Sequence, residues 1–116
     1  MGTDGVASAE DATALGYGAQ ATGTDAIAVG KSSVASESDS IAIGSDAEAS
    51  KAGAIALGDG ATAIGNYSQA LGYNATANGD NAQASGYLAK AKGTGSQASG
   101  PRANANGDGA QALGRA

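Results

Sequence analysis

Any chemistry done by this sequence falls to carboxylates, amides, hydroxyls and a few cations, because its 116 residues contain neither histidine nor cysteine. That removes the usual transition-metal clusters, disulfides and thiolate nucleophiles, and it leaves the redox compartment open. Carboxylate catalysis needs two acids converging in one pocket. Glu10, Asp11, Glu37 and Glu48 fall instead in turn-rich or alternating polar stretches, where a solvated face is the simpler reading. No run of alternating acids closed by glycine suggests a calcium loop. The dinucleotide-like pattern G-x-G-x-x-A occurs at Gly16–Ala21, Gly58–Ala63, Gly93–Ala98 and Gly107–Ala112. With no helix to follow, it lacks the amide-lined terminus that holds a phosphate. Asn66-Tyr67-Ser68 and Asn74-Ala75-Thr76 match the glycosylation sequon. The sequence therefore predicts no enzyme, no cofactor and no metal.

Cations and aromatics leave more to work with. Residues 1 to 60 carry nine acids against Lys31 and Lys51, a balance of −7, whereas residues 61 to 116 carry Asp80 and Asp108 against Lys90, Lys92, Arg102 and Arg115, a balance of +2. An acidic chain without a basic stripe is a poor partner for nucleic acid. The reversal still marks Lys90, Lys92 and Arg102 as a distinctive patch. Tyr73 and Tyr87 are 14 residues apart, and Tyr17 shares their phase. Exposed tyrosines of this kind anchor partners or pack a corner, and Tyr73 and Tyr87 join the three cations as candidate ligand contacts.

The spacing of those tyrosines is the spacing of the whole chain. Asp39-Ser40-Ile41-Ala42-Ile43-Gly44 is echoed by Asp25 to Gly30 before it and Gly53 to Gly58 after it, and the closing glycine returns every 14 residues from Gly16 to Gly114. The units are 3–16, 17–30, 31–44, 45–58, 59–72, 73–86, 87–100 and 101–114, with no insertion. A short fixed period means one supersecondary unit stacked on copies of itself. Composition agrees: thirty alanines stand beside only thirteen Ile, Val and Leu, too few large side chains for a globular core. Disorder is a poor alternative, since a disordered linker has no reason to hold alanine in phase.

Numbered so that the invariant glycine is position 14, positions 10 to 13 alternate as a strand does. Position 12 is always Ala and position 10 always Ala or Ser. Positions 3 to 6 make a second strand with Ala always at position 5, its alternate residues being mostly polar, as in Glu48 with Ser50 and Lys90 with Lys92. The two alanine rows face one another and the second strand's other side faces water. Corners rich in Gly, Asp and Asn join them, with the glycines of position 7, such as Gly23 and Gly65, expected to supply positive φ. Stacked at the strand spacing, such coils make a rod on the order of 38 Å long.

Positions 11 and 13 then point outward, and they hold most of the large aliphatics. Leu15, Ile27, Val29, Ile41, Ile43, Ile55, Leu57, Leu71 and Leu113 share this stripe with Gln69, Gln83, Gln97 and Gln111. Six aliphatics in unbroken succession, left in water, would forgo roughly 9 to 18 kcal/mol per chain. A soluble monomer rarely exposes such a patch, so the stripe is expected to be an oligomer interface with closed symmetry. Toward the C-terminus Gln, with Ser85 and Ser99, makes it polar.

The phrase Asp39-Ser40-Ile41-Ala42-Ile43-Gly44 and its in-phase copies resemble the head repeats of trimeric autotransporter adhesins of the YadA-like type, whose repeat reads roughly Asn-Ser-Val-Ala-Ile-Gly. The likeness runs from residue 3 to 114. It implies an all-β fold, a single-stranded left-handed parallel β-roll (a β-solenoid of eight coils) assembled as a homotrimer through positions 11 and 13. It implies a non-enzymatic adhesin head on the cell surface of a Gram-negative bacterium, attaching to extracellular matrix protein such as collagen or to another surface. The neck, coiled-coil stalk and anchor of such adhesins do not occur in residues 1–116. A segment of a head is therefore expected, with residues 1–2 and 115–116 as its continuation. No apolar run approaches the roughly 20 residues of a membrane span, so this segment itself is expected to make no membrane contact. A bacteriophage tail-fibre shaft is the alternative, and an ice-binding solenoid a third reading that the irregular series at position 4 disfavours.

Overall fold

A repeat this short can close on itself only with brief strands and tight corners. The computed structural model describes residues 4–114. In it each coil contributes one two-residue and one three-residue strand. The two-residue strands are β1 (Val6–Ala7), β3 (Gln20–Ala21), β5 (Val34–Ala35), β7 (Glu48–Ala49), β9 (Thr62–Ala63), β11 (Thr76–Ala77), β13 (Lys90–Ala91) and β15 (Asn104–Ala105). The three-residue strands are β2 (Thr13–Leu15), β4 (Ile27–Val29), β6 (Ile41–Ile43), β8 (Ile55–Leu57), β10 (Gln69–Leu71), β12 (Gln83–Ser85), β14 (Gln97–Ser99) and β16 (Gln111–Leu113). Each set forms its own parallel sheet in strict chain order. The register is the repeat itself, Ala28 against Ala42 against Ala56 in one sheet and Ala35 against Ala49 against Ala63 in the other.

The strands are shorter than the expected four residues because the corners claim their ends. In each coil the amide of position 3 bonds the carbonyl of position 14, as Ala19 to Gly16 at 3.2 Å. The amide of position 10 bonds the carbonyl of position 7, as Ala26 to Gly23 at 3.0 Å. These are four-residue turns whose third residue is left-handed, at position 2 (Asp46, φ 63) and position 9 (Asp39, φ 61). Positive φ therefore lies at positions 2, 9 and 14, not at position 7. The glycines of position 7 serve closeness instead: a Cβ on Gly65 would collide with the backbone carbonyl of Gly79 in the next coil.

Between the sheets the interior is nearly all alanine. Ala19, Ala21, Ala26 and Ala28 of one coil are all completely buried. Four buried serines interrupt it, and each returns its hydroxyl to the carbonyl of its own corner, as Ser40 to Glu37 (2.6 Å) and Ser68 to Gly65 (2.7 Å). No buried side-chain polar atom of the described residues lacks a partner. With only methyl groups inside, the rod is thin, with principal extents of 42 × 21 × 12 Å. Its length agrees with the strand-spacing estimate. The corners bond along the stack as well, Asp25 N to Glu10 O and Ser32 N to Tyr17 O at 2.9 Å each, so the backbone is satisfied coil to coil.

Candidate binding surface

Alternation about the buried alanine of each three-residue strand turns positions 11 and 13 outward. All thirteen stripe residues predicted from sequence come together on this one face. Ile27, Ile41, Ile55 and Gln69 run as neighbours in register, and Val29, Ile43, Leu57 and Leu71 run beside them. Thr13 extends the first row beyond Ile27. Toward the C-terminus Gln83, Gln97 and Gln111 are exposed, with Ser85 and Ser99 beside them.

The aliphatics are less exposed than the sequence implied. Ile27, Val29, Ile41, Ile55 and Leu71 are half-buried, while Ile43 and Leu57 remain 40% and 38% exposed. In-register stacking places each side chain against its copies above and below, and this covers part of its surface within one chain. At no more than two-fifths exposure each, the six residues of the central ladder retain at most roughly 4 to 7 kcal/mol of unburied apolar surface, below the earlier figure. Leu15 and Leu113 flank the stripe at 47% and 83%. Two further aliphatics, Val6 and Ile64, are exposed on the opposite sheet, outside any ladder.

That opposite sheet carries the cations. Lys90 on β13 and Lys92 just after it point outward and are exposed. At the adjoining corner Tyr73 and Tyr87 stack as predicted, ring centroids 5.5 Å apart and planes within 12°. Arg102 extends the column, its guanidinium 5.9 Å from the Tyr87 ring centre. Beside the column Leu88, Lys90, Arg102, Ala103 and Asn104 line a concavity of about 230 Å³. Leu88 and Asn104 were not singled out from sequence. Their only signal there is an odd residue at one position of the repeat, Leu88 where other coils use Gly, Asp, Asn or Ser. Tyr17 is exposed at the same corner of the second coil and stacks on no other ring.

The acids do not assemble. Glu10, Asp11, Glu37 and Glu48 are all exposed, and among the described residues no group of three or more acids could hold a metal ion. Asp80 and Asp108 spend a carboxylate oxygen on the backbone amides of Asn66 and Thr94, each at 3.0 Å. In the G-x-G-x-x-A segments the glycines serve the corners, Gly16 with φ 128 and Gly18 with φ 71, and a strand follows. Among the described residues no helix is long and apolar enough to cross a membrane.

Comparison with known proteins fits this geometry. The family model described as the YadA head domain repeat (2 copies) matches residues 7–33, 35–61, 52–68, 57–82, 63–89 and 91–115. The crystal structure of the collagen-binding domain of the Yersinia adhesin YadA superposes with a TM-score of 0.74 at 26% identity, over 90% of this chain and 66% of that one. The chain thus spans just under two thirds of that domain's length. No curated protein sequence matches. The family match favours neither the tail-fibre nor the ice-binding reading. An all-β solenoid of eight coils with a repeat model matched from one end to the other leaves one assignment: the chain belongs to the YadA head repeat family.

Proposed function

We propose that this chain is a non-enzymatic adhesin head. It winds left-handed, assembles as a homotrimer through the aliphatic stripe, and is displayed outside a Gram-negative cell, where it attaches to matrix protein of the collagen type. The observation that carries this reading is the outward ladder of Ile27, Val29, Ile41, Ile43, Ile55 and Leu57 in a chain of the YadA head family. A solenoid has no deep pocket, so its affinity comes from many weak contacts repeated along the rod and around the symmetry axis. The stripe faces the other copies. The opposite sheet and its corners, with Tyr73, Tyr87, Lys90, Lys92 and Arg102, face the ligand. The stripe's retained apolar surface is modest per chain, but closure of a trimer buries every stripe at once.

The test is absolute mass by light scattering together with retention on collagen-coated surfaces, for the wild type beside an Ile41→Asp, Ile43→Asp double variant. A wild-type mass of three times the 10.8 kDa chain, lost in the variant along with collagen retention, is the expected result. A folded monomer in both proteins would overturn the assembly. A trimer with no affinity for collagen would overturn the ligand.

A further inference from the structure

The Tyr–Arg corner of the last two coils departs from the frame of the repeat in ways that point to a ligand. Position 2 is left-handed in every coil, and six coils fill it with Asp4, Gly18, Ser32, Asp46, Gly60 or Asn74. Leu88 (φ 59) and Arg102 (φ 60) break that choice in consecutive coils, and both line the concavity. The chain's single proline, Pro101, stands immediately before Arg102, at the second place of the turn closed by Ala103 N to Gly100 O. Proline presets that place of a turn, so the corner that projects Arg102 is stiffened. The guanidinium in turn rests on Tyr87, which rests on Tyr73.

The surrounding charge is one-sided. No acid occurs between Asp80 and Asp108, and both of these sit at the other corner of the coil with a carboxylate oxygen bonded to backbone. Among the described residues no carboxylate pairs with Lys90, Lys92 or Arg102. Three unpaired cations, one of them held in place, thus border a shallow open concavity on an otherwise acidic rod.

We propose that this corner is a subsite for a linear anionic polysaccharide carrying sulfate or carboxylate groups, laid across Arg102, Lys90 and Lys92. Charge complementarity selects a polyanion, and the backbone selects among polyanions. Extended peptides bind solenoid and sheet proteins by adding a strand at an open edge, but here the coils bond one another along the rod and leave no lateral edge. Single-stranded nucleic acid needs free aromatic faces, and both faces of Tyr87 are covered, by Tyr73 and by Arg102. A sugar chain needs neither. Its anionic groups meet the cations, and its hydroxyls meet Asn104 and the tyrosine edges.

Such a subsite belongs to the adhesin reading and rests on it, yet it can fail separately. The 116-residue chain is passed over immobilised heparin, hyaluronate, polyglutamate, a single-stranded oligonucleotide and collagen, beside a Lys90→Gln, Arg102→Gln variant. Expected is retention on heparin or hyaluronate that weakens as salt screens the charges, and that drops at least about tenfold in the variant while mass and collagen retention stay unchanged. Heparin alone identifies sulfate as the recognised group, and both polymers together identify carboxylate as sufficient. No retention on either polysaccharide, or equal retention by the variant, overturns the subsite. Equal or stronger binding to polyglutamate or the oligonucleotide overturns it too, by assigning the patch to another class of polyanion. Loss of collagen binding in the wild type, with polysaccharide binding intact, overturns the matrix-protein reading instead.

Discussion

The closing glycine of each coil is the residue on which the stack depends, and one pair of substitutions tests why. Gly44 has φ 132, outside the small left-handed region that an L residue can enter, and a Cβ placed there would lie 2.5 Å from the carbonyl oxygen of Gly58 and 2.6 Å from its carbon. Gly109 is also at positive φ, 67, but a Cβ there would meet nothing within 4 Å. Gly109→Ala therefore carries only the left-handed penalty, about 1 to 2 kcal/mol. Gly44→Ala carries backbone strain of order 1 to 3 kcal/mol and a backbone collision besides. Relief would require lifting one coil off the next, against Gly58 N to Ile43 O at 2.8 Å and Gly60 N to Ser45 O at 2.9 Å. The expected cost is above about 4 kcal/mol, in the range reached only by a named structural lesion. Denaturant midpoints followed by far-ultraviolet circular dichroism, at one fixed protein concentration because assembly contributes to stability, give the comparison. If the two variants unfold at the same midpoint, close coil contact is not what position 14 serves.

Three other substitutions probe the remaining parts of the frame. Ala42→Leu inserts a branched side chain between sheets at a completely buried site, and a loss of at least about 3 kcal/mol, or failure to yield soluble protein, is expected in the same denaturation assay. Ser68→Ala should cost only about 1 kcal/mol, because Gly65 O keeps its bond from the Ser68 amide at 3.1 Å and other coils carry alanine at this position. Leu88→Asn should raise stability by about 0.5 to 1 kcal/mol, since asparagine tolerates left-handed backbone and Asn74 already adopts φ 52 one coil earlier. A lower midpoint for that variant would show that the side-chain contacts of Leu88 outweigh its backbone strain.

What repeated could be read from the sequence, and what occurred once could not. The coil length, the parallel register, the alanine rows at positions 3, 5, 10 and 12 and the outward stripe all follow from a pattern written eight times. The Tyr73–Tyr87 stack followed from the same arithmetic. The duty of each glycine did not, because composition cannot separate a glycine needed for positive φ, such as Gly44, from one needed for close approach, such as Gly65. Strand length was overestimated because alternation at Ala26 looks the same whether its amide joins a ladder or closes a turn. Stripe exposure was overestimated because the shielding of Ile41 by Ile27 and Ile55 is a three-dimensional effect. The concavity escaped notice because Leu88 and Asn104 become neighbours of Lys90 only when consecutive coils are superposed.

The same separation explains how one frame can serve recognition. Inward positions admit only Ala, Ser or Gly, and the corners restrict positions 2, 9 and 14, but the outward position 4 reads Val6, Gln20, Val34, Glu48, Thr62, Thr76, Lys90 and Asn104. That side chain contributes nothing to the ladder, which is built from backbone, and nothing to the interior, which is built from its neighbours. Its identity can therefore change coil by coil at little cost in stability. A rod of this kind keeps its shape while its surface charge passes from −7 in the first 60 residues to +2 in the remainder. On the adhesin reading, the stripe fixes how copies meet while the opposite sheet stays free to set what they bind. Changes of ligand should then arise by outward substitutions on β1 to β15 of the two-residue set, with no insertion or deletion in the coil.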